Sequence, residues 1–92
     1  MAPPLNFTEQ GAGTALLLLH AFPLSHAMWS RELARFATML RVITPDLPGF
    51  GRSPRLTTPS IPAMAQAVAA LLDGLGLRQP VIVAGLSMGG YV

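Results

Sequence analysis

The sequence contains no cysteine and no lysine. The first absence removes disulfides and thiolate metal ligands and leaves the cellular compartment open. The second leaves six arginines against four acids, a formal charge of +2. Arg31, Arg35, Arg41, Arg52, Arg55 and Arg78 are scattered, with no basic stripe and no interleaved aromatics, so no nucleic acid is expected as a partner. Charge of either sign is scarce, at 11% of residues, where soluble domains carry roughly 25%. Long hydrophobic runs are also missing. Purely apolar stretches such as Ala15 to Leu19 are far too short to cross a bilayer, so no membrane is expected either. Met1-Ala2-Pro3-Pro4 has no basic segment and no apolar segment of the kind a signal peptide needs, so a cytoplasmic location is expected. No G-x-G-x-x-G follows the first buried run, which disfavours a stand-alone dinucleotide-binding module.

What the sequence has in quantity is apolar surface: 51% of its 92 residues are hydrophobic. A chain this short buries a modest fraction of its surface. The composition therefore suits the interior of a larger domain.

Taken in order, Leu5-Asn6-Phe7-Thr8-Glu9 alternates and reads as a half-exposed strand. Gly11-Ala12-Gly13 is a turn, and Thr14 to Leu19 reads as a strand buried on both faces. His20-Ala21-Phe22-Pro23-Leu24 is a loop. A helix is expected to start between Ser25 and Trp29 and run to about Leu40, burying Trp29, Leu33, Phe36 and Leu40. Arg41-Val42-Ile43-Thr44 is the next strand, stopped by Pro45. A long loop rich in turn formers runs from Asp46 to Pro59. Ser60 caps a second helix with Pro62 in its first turn, buried through Met64, Val68, Leu71, Leu72 and Leu75 and ended by Gly74 and Gly76. Pro80 opens an apolar strand, Val81-Ile82-Val83-Ala84. Strands alternating with helices predict an α/β fold, a mainly parallel sheet with helices on both faces. His20, Asp46 and Ser87 all follow strands and are expected at one edge of that sheet.

Gly85-Leu86-Ser87-Met88-Gly89 is a G-x-S-x-G sequence between that last strand and the start of a helix at Gly90. This is the context of a nucleophile elbow, where a sharp turn holds a serine in a strained conformation above the strand ends. Cβ atoms at Gly85 and Gly89 would collide where strand and helix pass closely. The Met88 N–H would lie at the helix N-terminus, facing developing negative charge. Read alone, the pentapeptide fits a glycine-rich turn with a helix-capping serine equally well.

Three stretches together resemble the α/β-hydrolase superfamily. His20-Ala21-Phe22-Pro23 is similar to its His-Gly-x-Pro oxyanion loop, with Ala21 departing from the glycine. Asp46-Leu47-Pro48-Gly49-Phe50-Gly51-Arg52-Ser53 is similar to its Asp-x-x-Gly-x-Gly-x-Ser loop, and Gly85 to Gly90 to its elbow. The resemblance implies Ser87 as nucleophile and the backbone N–H groups of Phe22 and Met88 as the oxyanion hole. It implies hydrolysis of an ester, lactone or related small-molecule acyl substrate through an acyl-enzyme, with no cofactor and no metal. Serine at 87 argues against the epoxide hydrolase and haloalkane dehalogenase branches, which use aspartate there. The look of the loops is similar to small carboxylesterases and 3-oxoadipate enol-lactonase-like enzymes.

In that family the base and the triad acid follow the serine in the chain. His20 and His26 are therefore expected to make loop hydrogen bonds, Asp46 to organise its loop by accepting turn N–H groups, and Arg52 to be solvated or locally paired. No Asp, Glu or His follows Ser87. Residues 1–92 are thus expected to form part of a domain whose further strands, cap, acid and base lie elsewhere. By itself the segment is expected to be inactive and poorly folded, with an open edge strand and faces short of helices. A non-catalytic small-molecule receptor on the same fold, or an inactive fragment, is the alternative.

Overall fold

The structure, a computed structural model, describes residues 4–92; most of the N-terminal stretch read for a signal peptide lies outside the described residues. The elements are β1 (Phe7–Gln10), β2 (Ala15–Leu19), a 3₁₀ turn (His26–Trp29), α1 (Ser30–Phe36), β3 (Arg41–Pro45), α2 (Ile61–Gly74), β4 (Ile82–Gly85) and α3 (Met88–Tyr91). The sheet order is β1-β3-β2-β4. β1 runs antiparallel to β3, while β3, β2 and β4 are parallel.

The leucine run forms a strand because it lies between two partners and is buried on both faces. Side chains alternate across it. Leu17 and Leu19 meet Ile43, Leu47 and the α2 residues Ala67 and Val68. Leu16 and Leu18 join Val42 on the other face, under Trp29, Leu33, Ala37 and Leu40. α2 is capped as its sequence indicates: the Ser60 hydroxyl accepts from the Ala63 N–H at 3.1 Å. Past its C-terminus Gly76 turns the chain with φ of 71°.

Several boundaries differ from the sequence reading, among them the start of α3 at Met88 instead of Gly90. The first helix is shorter than expected. It opens as a 3₁₀ turn and ends at Phe36, where the Thr38 hydroxyl donates to the Arg35 carbonyl and offers the backbone an alternative to another turn. Ala37 packs against the sheet in place of Phe36, which is left at the surface. Pro45 is the last residue of β3, opposite Phe7, rather than the residue that stops it. A strand end tolerates proline because the missing N–H is not needed by the ladder there. The first strand begins at Phe7, two residues later than read, although Leu5 still packs into the core.

The faces of the sheet are better covered than expected, since α1 and α2 lie over β2 and β3. The bare region is β4, where Ile82 and Val83 are 51% and 55% exposed. An apolar edge of this kind is a template for pairing with another chain. The isolated 92-residue chain is therefore expected to self-associate, with concentration-dependent mass in sedimentation and no sharp thermal transition. A soluble monomer with cooperative unfolding would contradict this. Among the described residues no helix is long and apolar enough to cross a membrane.

Candidate active site

Because β2, β3 and β4 are parallel, the loops that follow them share one edge of the sheet. β2 lies between β3 and β4. The loop after β2 therefore meets the Asp46 loop on one side and the Ser87 turn on the other.

Ser87 has φ of 54° and ψ of −114°, and among the described residues it is the non-glycine residue with positive φ. Such a conformation costs on the order of 1–3 kcal/mol and persists where the surroundings enforce it. The enforcement is visible in the two glycines. A Cβ on Gly85 would lie 2.4 Å from the Gly89 carbonyl carbon, and one on Gly89 would lie 2.3 Å from the Leu19 carbonyl oxygen. The first contact closes the turn on itself, as the sequence suggests. The second presses α3 against the end of β2, which spacing alone does not reveal. The Leu86 N–H adds a bond to the Leu19 carbonyl at 3.2 Å.

Ser87 stands at the N-cap of α3, yet its side chain makes no capping hydrogen bond. This removes the simplest alternative, a serine present to cap a helix. Its side chain sits at the surface. Among the described residues neither the Met88 nor the Phe22 N–H donates a hydrogen bond. Phe22 and Met88 line one concavity of about 470 Å³ with Phe50, Leu56, Met64 and Arg55, within the size range of small-molecule sites. A larger hollow of about 670 Å³, from Thr14 to Pro80, opens at the other end of β2 and β4 and holds none of these loops. Ala21 replaces the motif glycine without strain, because its φ is not positive.

Asp46 is fully buried. It accepts the His26 N–H at 2.8 Å, the His26 Nδ1–H at 2.7 Å, the Asn6 Nδ2–H at 2.8 Å and the Arg52 N–H at 3.0 Å. Burial pushes its carboxyl up, but the hydrogen bonds from Arg52, His26 and Asn6 outweigh burial and hold it at about 2, against an ordinary 3.8. The loop is built around this carboxylate. A Cβ on Gly51 would lie 2.3 Å from it, and the Ser53 hydroxyl donates to the Asp46 carbonyl at 2.6 Å. Asp46 thus organises its loop as read from sequence. Arg52 contributes its backbone N–H, with its side chain at the surface. Nothing in an alternating strand marks Asn6 as the partner of a carboxylate 40 positions away.

A folded-state pKa below the unfolded one adds stability above the unfolded value, and that stability is lost as pH falls. Asp46 is expected to contribute about 2 kcal/mol above pH ~4, lost on acidification through pH ~2. Urea midpoints between pH 5 and 2 should fall more steeply in wild type than in Asp46→Asn. Equal slopes would contradict the assignment.

His26 and Asp46 together form a histidine oriented by a carboxylate, the arrangement of a base and its orienting acid. Among the described residues no hydrogen bond joins His26 to Ser87. Both ring nitrogens of the other histidine, His20, are engaged by backbone groups, Ala21 O and Leu47 N–H. The sequence expectation that both histidines stabilise loops agrees with these contacts.

Residues 14–92 match the alpha/beta hydrolase fold family. The chain belongs to that family. A solved thermophilic esterase from Thermogutta terrifontis superposes on 96% of this chain with a TM-score of 0.92 and 43% identity, using 33% of its own length. A pimeloyl-[acyl-carrier protein] methyl ester esterase of Vibrio vulnificus is 34% identical over all of this chain and 34% of itself. An epoxide hydrolase of Caballeronia sordidicola is 36% identical over 86% of this chain and 25% of itself. The chain thus spans between a quarter and about a third of the length of these three hydrolases.

Proposed function

We propose that this chain carries the nucleophile and the oxyanion donors of a serine hydrolase acting on an ester, lactone or related acyl compound. One observation carries the reading: Ser87 is held at positive φ with its hydroxyl uncommitted, immediately before an uncommitted Met88 N–H. In this reading the Ser87 oxygen attacks the substrate carbonyl. The N–H groups of Met88 and Phe22 stabilise the resulting oxyanion, the alcohol leaves, and water releases the acyl group. The acyl portion occupies the concavity beside Phe22, Phe50 and Met64.

Both esterases and an epoxide hydrolase are among the similar proteins. Chemistry at position 87 favours the ester. A carboxylate that opens an epoxide forms an ester, which water cleaves. A serine that opens one forms an ether, which water does not cleave, so the enzyme stops after one turnover. Attack of serine on an acyl carbon forms an ester and can turn over.

The reading also holds that residues 1–92 are part of a hydrolase domain whose base and acid come from outside them, because no imidazole meets the Ser87 hydroxyl among the described residues. Without a base the hydroxyl remains protonated and is a weak nucleophile. Residues 1–92 alone should then show no Ser87-dependent turnover of a p-nitrophenyl ester. Turnover in that segment would make His26, with its Asp46 partner, the base. In the complete enzyme, rapid quenching after mixing with a p-nitrophenyl ester should trap an acyl adduct on the peptide containing Ser87. Binding of the ester with neither an adduct nor turnover would identify a non-catalytic receptor instead.

A further inference from the structure

His20 directly follows β2 and is fully buried, with the edge of its ring system meeting Phe50 at a centroid distance of 5.5 Å. Its two ring nitrogens face groups of opposite character. The Leu47 N–H donates to Nε2 at 2.8 Å, so Nε2 bears no proton. Nδ1 lies 2.9 Å from the Ala21 carbonyl oxygen, which can only accept, so Nδ1 bears the proton. One neutral tautomer satisfies both contacts, and Leu47 selects it.

The Ala21 oxygen also accepts from the Leu24 N–H at 2.9 Å. This oxygen belongs to the peptide unit whose N–H is that of Phe22. A trans peptide is planar, and its C=O and N–H point in opposite directions. The cis bond in this loop is the next one, Phe22–Pro23. Holding the oxygen on the His20 side therefore turns the Phe22 N–H to the opposite side of the peptide, where it has no partner among the described residues.

We propose that His20 is a positioning residue for the oxyanion hole: its Nδ1–H grips the Ala21 carbonyl, sets the plane of the Ala21–Phe22 peptide and so aims the Phe22 N–H at the reacting carbonyl. This rests on the reading of Phe22 N–H as an oxyanion donor. His20 exchanges no proton with substrate and touches none. Its contribution is preorganisation: a donor already aimed costs no reorientation when charge develops.

The two amide side chains separate the two ring nitrogens. Asparagine places its amide where Nδ1 stands and keeps a donor for the Ala21 oxygen. Glutamine places its amide where Nε2 stands and keeps only the Leu47 contact. In the complete enzyme, His20→Ala and His20→Gln should lower kcat on a p-nitrophenyl ester by about 10- to 100-fold, with KM changed less than about threefold. His20→Asn should recover most of that kcat. Affinity for a trifluoromethyl ketone, whose adduct carries the oxyanion, should follow kcat through the series. Ser87→Ala serves as the control for the underlying reading. Retained turnover there refutes the nucleophile and this proposal with it. Ser87-dependent turnover with equal kcat in His20→Asn and His20→Gln overturns the His20 proposal alone. The wild-type ¹⁵N spectrum of the His20 ring decides independently of how the variants fold. A protonated Nδ1 with a bare Nε2 supports the proposal, and the opposite tautomer overturns it.

Discussion

Replacing Ser87 with alanine in the complete enzyme is expected to lower kcat by about 10⁵- to 10⁶-fold, the scale on which a serine nucleophile acting with its base is lost. KM should change little, since the concavity is lined by other side chains and Ser87 is not among them. Stability should also change little, within about 0.5 kcal/mol. The Ser87 hydroxyl caps nothing, and alanine bears the same Cβ at the same strained φ. This combination distinguishes a nucleophile from a structural serine. A capping serine replaced by alanine costs about 1 kcal/mol of stability and leaves chemistry intact. Steady-state kinetics and urea unfolding on one preparation of each protein give both numbers. Retained turnover, or a loss explained by unfolding, contradicts the assignment.

The second large effect is expected at position 22, and it depends on the backbone. Phe22→Pro deletes the N–H and should lower kcat by about 10²–10³-fold, the cost of one oxyanion donor. Phe22→Ala keeps the N–H and removes a ring that is 65% exposed and packs edge-on against Phe50 at 5.6 Å. It should mainly change substrate fit, seen as a shift in KM that varies with acyl chain length. Both variants need circular dichroism and thermal melts to show that they are folded. Equal losses of kcat in two folded variants would transfer the role from the N–H to the ring or to loop packing.

Much of this arrangement is legible in the sequence because the relevant constraints are local. The strand before Ser87 and the two glycines around it identify a turn whose steric demands involve residues only a few positions apart. The same holds for the Asp46 loop, where Gly51 leaves room for the carboxylate and Ser53 binds the Asp46 carbonyl. The alternation of strands and helices indicates a parallel sheet, and parallel strands bring the three loops to one edge. Contacts between distant segments are not legible. Nothing in the sequence pairs Asn6 with Asp46, or the Leu47 N–H with Nε2 of His20. The same limit applies to Gly89. A Cβ there would run into the Leu19 carbonyl at the end of β2, and only the sheet order reveals it. Phe36 lies outside the core for a different reason: helical periodicity assumes that the helix continues, and here it ends at Phe36.

The central claim is that the Ser87 oxygen is the reacting atom, and an active-site-directed fluorophosphonate tests it with least dependence on substrate choice. The reagent forms a covalent bond with an activated serine oxygen and releases fluoride, so it requires the nucleophile, its base and the oxyanion hole together. Wild-type complete enzyme should gain one phosphonyl group, located by tandem mass spectrometry on the peptide containing Gly85-Leu86-Ser87-Met88-Gly89, and lose esterase activity in step with labelling. Ser87→Ala should gain none. A folded, esterolytic wild-type enzyme labelled at a different residue, or one equally labelled after Ser87→Ala, would contradict the account.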